Sequence, residues 1–111
     1  MRIIRRDDVI IKTEIKDLDG NPINLTGAVV FLTAKKNKQA PDADAVIRKE
    51  VSAHTAPTLG QTEFTLTAED TDITSGSYFY DIQVVQSNTT RTAEIGVLRV
   101  VQDITIRTEV I

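Results

Sequence analysis

Leu66-Thr67-Ala68-Glu69-Asp70-Thr71-Asp72-Ile73-Thr74-Ser75-Gly76-Ser77-Tyr78-Phe79-Tyr80 is the stretch whose reading decides the fold. Its opening residue closes an alternating run, Thr62, Phe64 and Leu66 against Glu63, Thr65 and Thr67, with the period of two of a half-buried strand. An acidic turn follows, and Thr67 to Thr74 has room for one helical turn at most. Gly76-Ser77-Tyr78 then opens the strongest strand signal in the chain, Ser77 to Gln86. Tyr78, Tyr80, Ile82 and Val84 form its inward face, and Asp81 and Gln83 point out. A strand, a polar corner and a second strand form a sheet protein's unit, with no helical period on either side.

Outward from this corner the same period recurs. Val9, Ile11, Thr13 and Ile15 alternate with Ile10, Lys12, Glu14 and Lys16. Asp17-Leu18-Asp19-Gly20-Asn21-Pro22 is a turn signal, because Asp and Asn satisfy turn backbone and glycine supplies positive φ. Ala28 to Ala34 is apolar and rich in β-formers. Lys35 to Asp44 and Ala53 to Gly60 are loops that hold Pro41 and Pro57. Between them Ala45 to Ser52 is a strand whose charged face is Arg48 and Glu50. Ser87-Asn88-Thr89 marks a hairpin tip, and Arg91 to Val101 returns as a long strand with a bulge expected at Gly96. Ile104 to Ile111 alternates again and is an extra strand or an exposed tail. The expectation is one all-β domain over residues 1–111, with seven to eight antiparallel strands in a sandwich or barrel.

The 111 residues fit a single domain that buries its own core, drawn from Val9, Ile11, Ile15, Val30, Leu32, Phe64, Leu66, Tyr78, Tyr80, Ile82, Leu98 and Val100. With no cysteine, neither disulfides nor thiolate metal sites are available. A net charge of −3 gives no electrostatic footprint for nucleic acid, and Arg2, Arg5 and Arg6 beside Asp7 and Asp8 read as a solvated strand edge. No apolar run follows Met1-Arg2-Ile3-Ile4 as a signal peptide requires, and none is long enough to cross a bilayer. The expected place of synthesis is the cytoplasm.

The corner resembles the E–F corner of immunoglobulin-like domains. There a tyrosine near the start of strand F hydrogen-bonds back to the turn backbone. The resemblance makes Tyr78 the corner tyrosine, with Gly76 and Asp72 in the turn before it. Tyr80 stands where antibody domains carry their second cysteine, and the chain has no tryptophan. The likeness is therefore to the wider sandwich architecture. Asp19-Gly20-Asn21-Pro22-Ile23-Asn24-Leu25-Thr26-Gly27-Ala28, then Gly76 to Gln83, then Gly96-Val97-Leu98-Arg99-Val100-Val101-Gln102-Asp103-Ile104-Thr105 narrow it. In this order, from Val9 to Thr105, they resemble the immunoglobulin-like domains of tailed-bacteriophage and prophage structural proteins, of the baseplate upper protein N-terminal type. The resemblance implies a non-enzymatic virion component of the tail, baseplate or head–tail region. It also implies synthesis in a bacterial host and action through contacts with its own copies and other virion proteins. It carries no catalytic residue and no cofactor.

Candidate chemistry is sparse. His54, the single histidine, is expected in an exposed loop, without a nucleophile elbow around Ser52 or Ser75. Counted as a calcium loop from Asp17, the glycine position falls on Pro22 and the closing glutamate on Ala28, so the match fails. Glu69, Asp70 and Asp72 share one turn and cannot flank a substrate, so they read as corner caps. The chain therefore reads as non-enzymatic, with no catalytic, cofactor or metal site. The rival is an adhesin-like or receptor-binding module that recognises a cell-surface glycan or protein. Scarce aromatics argue against the glycan. More informative are apolar residues on faces that should be wet, Val29, Phe31, Phe79 and Val85. Cover by the chain's own loops and burial against another subunit remain alternatives for them. The two ends, Ile3 to Arg6 and Ile104 to Ile111, are further candidates to extend a neighbour's sheet.

Overall fold

The computed structural model describes residues 1–104. Seven strands follow in order: β1 (Arg2–Ile4), β2 (Val9–Glu14), β3 (Val29–Lys35), β4 (Ile47–Val51), β5 (Gln61–Leu66), β6 (Gly76–Gln86) and β7 (Thr89–Val101). Single 3₁₀ turns at Asp42–Asp44 and Pro57–Leu59 interrupt the loops on either side of β4. The strands form a curled five-stranded sheet in the order β1-β7-β6-β3-β4 and a two-stranded sheet of β2 and β5.

Alternation decides the placement. In β3 the pattern is strict: Val30, Leu32 and Ala34 are buried, and Val29, Phe31, Thr33 and Lys35 are half-exposed on the other face. β6 repeats it, with Tyr78, Tyr80, Ile82 and Val84 inward. These side chains meet Phe64 and Leu66 of β5, with Val9 and Ile11 of β2 packed at the margin. The core also takes Ile3, Leu25, Ala28, Ile47, Leu98 and Val100. Each inward position repeats every second residue, so a slip of one would turn the whole set to water.

The turns follow local chemistry. Asp17 Oδ1 accepts from the Asp19 and Asn21 amides at 2.9 Å each, which closes the turn after β2. Ser87 and Asn88 carry φ of 50° and 63°, the primed geometry of a two-residue hairpin between β6 and β7.

Several expectations change. The pairing is mixed, not wholly antiparallel: β1 runs parallel to β7, with Ile3 opposite Val100. The chain starts in one sheet and crosses to the other at Arg5 and Arg6, where Arg6 takes φ 67°. The Ile3–Arg6 segment therefore begins inside its own domain's sheet, with β1 as the edge strand beside β7. The bulge in β7 falls at Ala93, since Ile82 pairs with Glu94 and Gln83 with Thr92. Gly96 keeps its register, and its missing side chain makes room for the Tyr80 ring. Ile104 is fully exposed, and the rest of the proposed eighth strand lies outside the described residues.

Candidate functional site

Tyr78 sits on β6 two residues after Gly76, whose φ of 142° suits a residue without Cβ. Its ring is buried, and its Oη donates to the Thr74 carbonyl 2.5 Å away. The Lys36 ammonium lies 4.9 Å from the ring centroid on the outer side of the corner. Asp70 caps the turn: its Oδ2 accepts from the Thr67 amide at 2.8 Å and pairs with Lys49 of β4 at 2.8 Å. Those bonds, Lys49 first, hold its carboxyl below the usual range. Asp72 does other work. It pairs across to the crossover after β1, with Arg5 at 2.9 Å and Arg6 at 3.1 Å. Arg5 is no solvated edge residue either. Its Nε donates to Ile73 O at 3.0 Å, and its other nitrogens reach Asp72 and, at 3.6 Å, Asp103. One guanidinium thus fastens the crossover after β1, the corner and the exit from β7.

His54 also departs from expectation. It is half-buried and ties the loop after β4 to two other elements. Nε2 lies 2.8 Å from the Ala28 carbonyl, which can only accept, so the proton is on Nε2. In the neutral ring Nδ1 then accepts from the Thr62 hydroxyl at 2.9 Å. Thr62 is buried, and this bond satisfies it. Thr71, likewise buried, donates to Asp7 O at 2.8 Å. Alternation with Phe64 and Leu66 already sets Thr62 on the inward face of its strand, whereas no sequence pattern marks Thr71.

Val29, Phe31, Phe79 and Val85 all stand on the outer face of the five-stranded sheet. Val29 is directly opposite Val85, and Phe79 is opposite Val97. Ile95, one level on from Val97, is 69% exposed. Two apolar groups result, Val29, Phe31 and Val85 at one end and Phe79, Val97 and Ile95 at the other. A polar strip of Thr33, Asp81, Gln83 and Thr92 separates them. The loop after β3 leans over part of this face. Lys35 Nζ bonds Ala40 O at 2.7 Å and Asp42 at 2.8 Å, and Lys38 Nζ sits 4.8 Å from the Phe79 centroid. Phe79 is still 37% exposed beneath it. Own-chain cover therefore accounts for the rim of one group and leaves Val85, Phe31, Ile95 and Val97 with solvent on their outer side.

The face is furrowed. One depression of ≈ 350 Å³ lies between Lys35, Asp42, Phe79, Asp81 and Ile95. A second of ≈ 570 Å³ continues past Phe31, Arg48, Glu50, Gln83 and Val85. Asp81 is half-buried in the first, and burial, aided by Asp42 and opposed by Lys35, raises its pKa. No set of three His, Asp or Glu side chains gathers among the described residues to hold a metal ion. No protein-family model matches the chain, and no curated protein matches it.

Proposed function

We propose that the chain is an immunoglobulin-like sandwich and a non-enzymatic structural component of a phage or prophage virion. It works by burying the outer face of its five-stranded sheet against protein. The single observation that carries the contact reading is that face. Six apolar side chains, Val29, Phe31, Phe79, Val85, Ile95 and Val97, are gathered there on three strands around a polar strip. A sheet with one wet face alternates apolar and polar, and an apolar outer face instead marks a contact surface. The sandwich reading is supported by β3, β6 and β7 as consecutive neighbours, with β4 added beside β3 and β2–β5 apart. That is the order of strands C, F and G with the extra strand of variable-type domains. The corner tyrosine with its bond four residues upstream supports it too. The virion assignment rests on the turn-and-strand resemblance described above. Glycan recognition is the weaker reading, because the exposed aromatic Phe79 already has a lysine over its ring.

The test is the molar mass of the chain by light scattering after size exclusion. It is measured across a concentration range, alone and co-expressed with the products of adjacent genes. Val85→Glu places a charge at the centre of one apolar group. A discrete complex that forms with the wild type and fails with Val85→Glu, at unchanged circular dichroism, is expected. Association that Val85→Glu leaves intact, or none in any combination, overturns the reading.

A further inference from the structure

The outer face carries a charge pattern that its own chain answers only in part, Arg48 acting at a distance on Asp42 and Glu50 on no base among the described residues. Arg48 and Glu50 stand one level apart on β4, beside Thr33 and Phe31 respectively. Both are exposed, and neither forms an ion pair among the described residues. Asp42, which lines the same furrow, is taken by Lys35 at 2.8 Å. The levels continue across the sheet. Arg48, Thr33, Asp81 and Ile95 form one, and Glu50, Phe31, Gln83 and Thr92 form the next.

We propose that a second copy of this chain covers the face, related by a two-fold axis that crosses the strands midway between those two levels. Such an axis lays each strand antiparallel over its own counterpart and exchanges the levels. Arg48 then meets the second copy's Glu50, and Glu50 meets its Arg48. One level further out, Phe79, with Lys38 over part of its ring, faces the second copy's Val85, bringing together the two apolar groups that each single face keeps apart. At the centre Asp81 meets the Gln83 amide of the second copy, which supplies donors to a carboxylate whose own neighbour, Gln83 Nε2, stands 3.4 Å away. An axis along the strands would instead set Arg48 over Ile95 and Glu50 over Thr92 and leave both charges unanswered. The face measures about 15 by 20 Å between its outermost Cα positions, below the size of a standard specific interface, so the dimer is expected to be weak and transient.

This inference rests on the reading of the face as a contact surface. Its test is sedimentation equilibrium of the full chain with two charge reversals. Arg48→Glu or Glu50→Arg alone replaces two ion pairs across the axis by two like-charge contacts, which should raise the dimer Kd roughly tenfold. An equimolar mixture of the two variants should restore the wild-type affinity, because one copy then presents two acids and the other two bases. Both positions are exposed, so folding is not at stake. A wild-type dimer indifferent to the reversals, or a mixture no tighter than its components, overturns the geometry. If Val85→Glu still dissolves that dimer, the contact-face reading survives the loss. A wild-type monomer at every concentration overturns the second copy as occupant, and the co-expression experiment then decides the contact face separately.

Discussion

Gly96 and Tyr80 act as one unit. A Cβ at position 96 would stand 2.8 Å from Tyr80 Cε1 and 2.9 Å from its Oη, so only glycine lets the ring lie across β7. There the hydroxyl reaches Glu94 Oε2 at 2.5 Å. Burial first, and Glu94 second, push the Tyr80 phenol up to about 12 from its ordinary 10.0. The folded state thus favours the neutral phenol more than the unfolded chain does. Its contribution to stability is whole below about pH 10 and is lost as pH rises through about 12. Glu94→Gln should bring the Tyr80 pKa down while leaving it above the ordinary value, since burial persists. The Tyr80 Cζ chemical shift followed against pH reads this directly. An unchanged midpoint in Glu94→Gln would show that the carboxylate has no part in it.

At the scale of elements, Arg5 decides how β1 is held. Three residues make a poor strand by themselves, and β1 gains only a short parallel ladder along β7. Its side chain adds bonds to the corner at Ile73 and Asp72 and to Asp103 beyond β7. Arg5→Ala should cost about 1.5–3 kcal/mol, the range for hydrogen bonds to a charged group. The loss should be local: the Arg99 amide, which donates to Met1 O at 2.9 Å, should exchange faster than amides between β3 and β6. Lysine in its place keeps the charge without the fork and should restore only part. Uniform acceleration of exchange throughout both sheets would refute a local clasp. This element also shows what the sequence hides. β2 through β7 announce themselves by alternation or by a run of β-formers bounded by turns, as Val9 to Ile15 and Ser77 to Gln86 do. β1 has three residues and no room for a period, and its partner lies at the far end of the chain. The same distance conceals the role of Arg5, and that of His54 is hidden because only the fold brings its partners Ala28 and Thr62 to opposite sides of one ring. The outer-face residues were legible because Val29, Phe31, Phe79 and Val85 break an expected pattern. That Arg48 and Glu50 stand beside Thr33 and Phe31 needed the register.

For the whole molecule, the closing contact is the longest in sequence. Among the described residues Met1 and Arg99, 98 residues apart, are joined at the β1–β7 junction, where the Arg99 amide donates to the Met1 carbonyl at 2.9 Å. By contrast β6 and β7 meet through a two-residue turn, and β3 reaches β6 with the β4 hairpin already beside it. Loop closure penalises distant pairings, so the β3–β6–β7 unit with β2–β5 packed on it should form in the transition state, and β1 should dock afterwards. Ile3 probes this order, because it is 4% exposed and packs in the shared core from β1. Ile3→Ala should cost about 2–5 kcal/mol, the range for truncation of a buried aliphatic. If β1 docks late, nearly all of that loss appears as faster unfolding, with the folding rate little changed and a φ-value below about 0.3. Stopped-flow folding and unfolding against urea measures both limbs. A φ-value near one would mean instead that the two ends of the chain meet before the sheet is complete. The parallel pair would then be the nucleus around which the antiparallel strands assemble.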